Sequence, residues 1–332
     1  MSSSKIVELD LISKKINIYV CSAILIVGVI GGCFNVLIFL SFRTFRENSC
    51  AFYLLVMSVC NLGQLATGLL RQIMVGGFSI DWTQSSLFYC KWRTFCFQAC
   101  MLISLTNICL ATIDQYWATC HRQKWQKWCN VKLAHRLAAI SVIVWHLHGS
   151  SYLVFMNQVV LPTGVVSCIN TNLIFQQYIN YFLSPVIGRV IPLTITVVFA
   201  VLAYRNVKRI SYRTVPLVRR ELDKQLTTMV LVQAIFTTFA ITPSVIVNAI
   251  ISYTNLTKDP LISAIMQLTN LIMTCLYYLY FASPFYIYLC VSERFRRQFF
   301  YVISSQWHQK KMYVNQIAPQ SELEKTIRHN AS

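Results

Sequence analysis

Ile108-Cys-Leu-Ala-Thr-Ile-Asp-Gln-Tyr-Trp-Ala-Thr-Cys-His-Arg122 joins an apolar segment to a basic one through an acid, an amide and a phenol. Upstream, residues 94 to 113 carry neither acid nor base, and downstream come Arg122, Lys124 and Lys127. About 20 apolar residues cross roughly 30 Å of hydrocarbon as a helix, and cations collect where such helices leave the bilayer on its cytosolic side. The stretch therefore reads as the inner end of a membrane helix. Composition supports this for the whole chain: 56% of the 332 residues are hydrophobic and only 12% are charged, with a mean hydropathy of +0.53. These values lie outside the soluble globular range.

Seven such runs occur, at about 17 to 42, 50 to 74, 94 to 118, 133 to 156, 178 to 204, 225 to 252 and 261 to 290. The first is too long for a signal-peptide core and lacks a small-residue cleavage site, so it reads as a span. A net charge of +18 in a soluble chain would suggest nucleic acid, but here the cations sit in alternate loops. Arg43 and Arg46 follow the first span; Arg122, Lys124, Lys127, Lys132 and Arg136 the third; Arg205, Lys208, Arg209, Arg213, Arg219, Arg220 and Lys224 the fifth. Arg294, Arg296 and Arg297 follow the seventh, whereas the intervening loops carry few, such as Lys91, Arg93 and Lys258. This asymmetry predicts an outside N-terminus, a cytosolic C-terminus and a bilayer rather than a nucleic acid as the bulk partner. Asn255-Leu-Thr257, a glycosylation sequon, falls in a predicted outer loop. Of 13 cysteines most lie within spans, but Cys90 and Cys168 both fall on the outer side, where a disulfide persists.

The landmarks within each run resemble those of the rhodopsin-like G-protein-coupled receptors over residues 17 to about 301. Gly-Gly-Cys-Phe-Asn35-Val is similar to the family's Gly-x-x-Asn-Val, and Asn61-Leu stands where Asp-Leu is usual. Trp82 precedes Cys90 as the outer-loop tryptophan does, and Trp145, Pro192 and Pro243 match the fourth, fifth and sixth spans. Ser283-Pro284-Phe-Tyr-Ile287 stands for Asn-Pro-x-x-Tyr. Phe295-Arg-Arg-Gln-Phe299 resembles the short amphipathic helix along the inner leaflet. Any one match is weak; their order and spacing together are specific. The resemblance implies an all-α seven-transmembrane bundle with a short amphipathic eighth helix. It implies a 1–16 extracellular segment, a 17–301 receptor domain and a 302–332 cytoplasmic tail, in the plasma membrane. An outside ligand, a heterotrimeric G protein and arrestin are its implied partners, with Ser304, Ser305, Ser321, Thr326 and Ser332 as candidate phosphosites.

Within that resemblance, Asp114-Gln115-Tyr116 is the family's Asp-Arg-Tyr triplet with its arginine replaced. The family's arginine latches the inactive state through neighbouring acids; Gln115 keeps reach without charge, and Asp223 is its expected partner. An amide-to-carboxylate bond is weaker than a bidentate arginine pair, which predicts a looser latch, with either basal activity or weak coupling. Ile241 replaces the tryptophan toggle and Ile287 the tyrosine. Asn61, Ser104 and Ser283 offer no carboxylate for a sodium ion, so no metal is expected. With Asn35 and Asn107 they read as a polar packing network.

Ionisable groups inside spans cost about 2.5 to 3.5 kcal/mol at the helix centre and are functional candidates. Arg189, three residues before Pro192, is either a ligand contact or a cation bonded to neighbouring helices. Arg71, near the outer end of the second span, is either a ligand contact or a snorkelling side chain. If both face the cavity they favour an anionic small molecule or an acidic peptide group, with Phe97, Gln98, Met101 and Gln267 as further lining. Phe97 occupies the position of the aminergic aspartate, and residues 261 to 290 hold no lysine for retinal. Amines and retinal are therefore not expected. His146 and His148 read as packing or hydrogen-bonding groups. No phosphate loop, zinc-spaced cluster or nucleophile-base pair is present, so neither enzyme chemistry nor a cofactor is expected. A receptor coupled to G protein is the leading expectation. Gln115, Ile241 and Ile287 keep open a scavenging protein with the same fold and no signalling.

Overall fold

A computed structural model describes residues 2–120, 123–162, 164–210, 217–253 and 259–304. Among the described residues, seven helices are long and apolar enough to cross a membrane: α1 (Ser4–Ser41), α2 (Ser49–Phe78), α3 (Leu87–Thr119), α4 (Val131–Phe155), α5 (Leu173–Lys208), α6 (Lys224–Val247) and α7 (Pro260–Ala282). After Ser283 the chain continues as α8 (Pro284–Val291) and then as α9, residues 293–304. The expected seventh span is thus two helices, because Pro284 cannot donate to the ladder. α9 is the expected amphipathic helix: Phe295 is wholly buried against Phe39, Phe45, Phe285 and Tyr288, and Phe299 meets Phe34 and Phe285 edge to face.

Side-chain caps fix most helix starts. Asn48 accepts from the Ala51 N–H, Ser86 from Tyr89, Asn130 from Lys132, Asn172 from Phe175, and Asp259 from Leu261 with Pro260 at the first helical position. Residues 2–15, expected as a segment before the first span, are helical too, and a widened π turn at Ile16–Val20 joins them to Cys21–Ser41. α3 lies at the centre, with Leu102, Leu105 and Ile108 almost wholly buried. Trp145 ties α4 to it by donating through Nε1 to Thr106 Oγ1 at 2.8 Å.

α1 approaches α7 and α2 closely because glycines face them. A methyl group on Gly28 would lie 2.8 Å from Ala282 Cβ and 2.8 Å from Leu65 Cδ1, and one on Gly32 would lie 2.6 Å from Leu62 Cδ2. Small residues provide such close packing where lipid supplies no hydrophobic drive. Gly28→Ala should therefore cost about 1–3 kcal/mol through overpacking. The check is the melting temperature of the purified protein, which should fall by several degrees; an unchanged value would contradict this helix contact.

Between α4 and α5 a hairpin crosses one end of the bundle. β1 (Met156–Val160) pairs antiparallel with β2 (Val166–Asn170), with Met156 opposite Asn170 and Gln158 opposite Cys168. Cys168 is bonded to Cys90 at the start of α3, with their Cα atoms 5.8 Å apart. Gln158 Nε2 also donates to the Thr83 carbonyl at 2.7 Å. This disulfide end is opposite the end that carries α9.

Candidate functional site

Two groups of residues singled out by sequence assemble at opposite ends. At the α9 end, Asp114, Gln115 and Tyr116 close α3. Asp114 is 4% exposed and Gln115 1% exposed, so both polar groups need partners inside the protein. Ser49 at the start of α2 donates through Oγ to Asp114 Oδ2 at 2.8 Å, and Cys129 Sγ donates to the Asp114 carbonyl at 3.2 Å. Tyr116 turns outward and meets Phe199 of α5 edge to face, centroids 5.5 Å apart.

The Gln115 amide oxygen accepts from Thr227 Oγ1 at 2.7 Å, across to α6, and Thr227 is itself 1% exposed. Sequence pointed to Asp223 instead, whose side chain lies outside the described residues. Thr227 is one turn further along the same face, and the shorter hydroxyl reaches because α6 lies close to α3 here. The contact is uncharged on both sides. Two positions earlier, Gln225 Oε1 accepts from Ser292 Oγ at 2.9 Å and from the Arg294 N–H at 3.1 Å. One helix thus carries adjacent amide and hydroxyl contacts to α3 and to the α8–α9 junction. No sequence signal marked Thr227 or Gln225, since neither type is unusual on a helix.

The expected polar network is several separate pairs. Ser104 donates to Asn61 Oδ1, Asn35 Nδ2 to Ser58 Oγ at 3.4 Å, and Asn107 Nδ2 to the Ile103 carbonyl at 2.8 Å and to Ser141 Oγ at 3.3 Å. Ser283 bonds locally to the Tyr280 carbonyl. Asn35 and Asn61 line a narrow crevice with Phe281 and Pro284 that has no room for a water molecule. Ile241 is 2% exposed in the apolar core, Ile287 packs partly buried around Tyr288, and Pro243 lies within the α6 helix.

Toward the disulfide end, Arg189 lies in a long π segment of α5, Ile179–Val190, which also contains Pro185. It is half-buried; among the described residues it makes no hydrogen bond or ion pair, and the Tyr277 phenol of α7 is its electrostatic neighbour. Tyr277 in turn accepts from Gln64 Nε2 at 3.5 Å. Met101 (9% exposed) and Gln98 (7%) face inward on α3, and Met101 reaches Gly188 beside Arg189. Gln267 is exposed and bonds Ser263 of its own helix, and Asn255 lies outside the described residues.

Arg71 does not simply snorkel. Its Nη2 meets Asp81 Oδ2, from the loop between α2 and α3, at 2.7 Å. Burial raises the Asp81 carboxyl, but the Thr83 hydroxyl and N–H and the Arg71 guanidinium together hold it below its ordinary value. The pair's contribution is thus complete above the usual carboxylate range and is lost as pH falls through the lowered value. Arg93, read from sequence as a loop cation, lies inside α3: its Nε donates to the Thr67 carbonyl at 2.8 Å and its guanidinium stands 5.1 Å over the Phe97 ring. His148 meets the Tyr178 hydroxyl at 3.3 Å and His146 the Val142 carbonyl at 2.8 Å, so both act as hydrogen-bonding groups.

Comparison with protein families finds a match to the model described as 7 transmembrane receptor (rhodopsin family) over residues 32–285, well over half of the chain. A search of curated proteins found no match. The matched span runs from Gly32 of α1 to the Ser283-Pro284 break and takes in the Asp114–Tyr116 end of α3.

Proposed function

Because the chain belongs to the rhodopsin family of seven-transmembrane receptors, we propose that it binds an anionic ligand in the disulfide end of its bundle and signals to a heterotrimeric G protein at the other. The disulfide end faces outward and the α9 end faces the cytosol of a cell bearing the protein in its plasma membrane. The distribution of cations supports this orientation, since Arg43, Arg46, Lys124, Lys132 and Arg205 all lie toward the α9 end. The observation that carries the ligand class is Arg189: a half-buried guanidinium with no acid beside it among the described residues. A buried cation without a counter-ion is costly, and a ligand carboxylate would remove that cost.

A ligand moves the receptor only through a difference in affinity between its two arrangements. Arg189 sits where the α5 ladder is already widened, so small rotations there cost little backbone hydrogen bonding. Gln115 and Thr227 supply the contact that opening must break. Ile241 and Ile287, which lack the polar handles of the family's switch, favour a second reading in which the protein binds without transmitting. Cyclic nucleotide and calcium output should be recorded over a panel of mono- and dicarboxylic acids, acidic peptides and amines. Carboxylates should be the active class, with potency falling about 10-fold or more in Arg189→Gln. A response confined to amines, or one indifferent to Arg189→Gln, would overturn the ligand class; Arg189-dependent binding with no output would establish the second reading.

A further inference from the structure

The disulfide end contains a second cation cluster, separate from Arg189. Arg71 on α2 is ion-paired to Asp81, Arg93 on α3 lies beside this pair with Arg71 as its electrostatic neighbour, and no carboxylate is ion-paired to Arg93 among the described residues. We propose that Arg71 and Arg93 form a subsite for the ligand's carboxylate, and that Asp81 occupies it in the unliganded protein as an intramolecular stand-in. This rests on the reading that the ligand is anionic and enters from this end.

The donor count favours a better partner than Asp81. Asp81 Oδ1 is committed to the Thr83 N–H at 3.0 Å and its hydroxyl at 2.6 Å, so only Oδ2 is left for Arg71. Arg71 Nε is buried and has no hydrogen-bond partner among the described residues. A guanidinium satisfies a carboxylate best through two parallel bonds, and the loop geometry of Asp81 supplies one. An incoming carboxylate free of the Thr83 bonds can take two.

Arg93 joins the same surface. Its Nε bond ends on the carbonyl of Thr67 in α2, and Arg71 is its electrostatic neighbour, so the two guanidinium groups share one neighbourhood. Below them the wall is aromatic: Phe97 lies under Arg93, and Gly68 lets both Phe97 and the Tyr278 hydroxyl approach α2, where a methyl group would sit 2.7 Å and 2.5 Å from them. Two cations over an aromatic floor suit an aryl or alkyl carboxylate. Such a group can belong to a free acid or to a peptide C-terminus.

The test uses the full-length protein in lipid nanodiscs, with 3-phenylpropionate, its neutral counterpart 3-phenylpropan-1-ol, and the dipeptide Gly-Phe as acid and as amide. Binding is followed by isothermal titration, and the ligand-free melting temperature of every variant separates lost binding from lost folding. Wild type should bind the acids and not the alcohol or the amide; preference between phenylpropionate and Gly-Phe identifies a free acid or a peptide end as the source. Arg93→Gln should weaken acid binding about 10-fold or more. Asp81→Asn should strengthen it about 5-fold, because the internal competitor is gone, and Arg71→Gln should abolish that gain.

If Asp81→Asn weakens binding, Asp81 is scaffold and the proposal is overturned. Acid binding that survives Arg93→Gln and Arg71→Gln but is lost in Arg189→Gln would overturn the subsite and leave the Arg189 reading standing. The converse pattern would support the subsite and remove Arg189 from the ligand site. Failure of wild type to bind either acid, or equal binding of the alcohol, overturns the subsite.

Discussion

Cys168→Ser should lower the amount of receptor reaching the cell surface several-fold and destabilise the purified protein by about 2–4 kcal/mol. Cys90 and Cys168 are 78 residues apart in sequence and are joined in the structure. In the chain-entropy model a loop of that length is worth about 4 kcal/mol, and anchoring α3 and α4 in lipid lowers the figure by restricting the unfolded chain. The local consequence comes from register. Cys168 lies opposite Gln158, whose side chain holds the Thr83 carbonyl, so the bridge and that bond pin one hairpin to both α3 and the loop before it. Without the bridge, the Gln158 bond and the packing of Met156 in the core are left to hold it. Cys90→Ser and the double variant should match Cys168→Ser, because all three remove the same bond. Thermal unfolding of the four proteins, with and without reductant, checks this: reductant should bring wild type down to the level of the variants. Three unequal losses would mean that the cysteines act separately.

Thr227→Val should raise ligand-independent signalling at matched surface level. Valine keeps the shape of threonine and removes the donor to Gln115 Oε1, in a place where both residues are about 1% exposed. Depriving a buried acceptor of its donor costs about 1–3 kcal/mol, and only while α6 lies against α3. That corresponds to roughly a 5- to 150-fold shift of the equilibrium toward the open arrangement. Gln225→Ala should act in the same direction, since it releases Ser292 and the Arg294 N–H from α6. An arginine-to-acid latch would weaken with salt; this one joins neutral groups, and basal output should be nearly independent of ionic strength. Cyclic nucleotide and calcium readings in cells check the variants, and equal output from wild type and Thr227→Val would exclude the contact as a latch.

The sequence carried the architecture because a bilayer imposes a length and a polarity that no soluble fold shares. Each run of about 20 consecutive apolar residues reads as a helix, the one structure in which a single segment satisfies its own backbone in lipid. Boundaries were less legible where polar residues are helical. α3 begins at Leu87, not near 94, because Ser86 caps it and Arg93 shields its charge against Thr67 and Phe97; by hydropathy alone Lys91 and Arg93 look like loop. The first helix reaches back to Ser2 through residues too polar to count as apolar.

Side-chain facing was legible only in part. Widened turns at Ile16–Val20, Leu65–Leu69 and Ile179–Val190 interrupt α1, α2 and α5. Each extra residue in a turn rotates the downstream part of the helix by about 100° relative to a regular one. Arg71 lies just beyond one of these segments and Arg189 within another, so their neighbours could not be counted off from the sequence. Asp81 as the partner of Arg71 depends on a loop fold set by Thr83, which no spacing rule encodes. For Gln115 the partner helix was legible but Thr227 was not, because threonine is unremarkable on a helix and shares its face with Asp223, whose side chain lies outside the described residues.

Nucleotide exchange on purified heterotrimeric G proteins, driven by the reconstituted receptor as wild type and as Thr227→Val, tests the central claim most directly. Wild type should accelerate exchange on at least one G-protein class in the presence of an active carboxylate, and Thr227→Val should do so without it. Exchange that stays at the rate of empty nanodiscs for both proteins, across all G-protein classes and with ligand bound, would contradict a signalling receptor and leave a binding protein in its place.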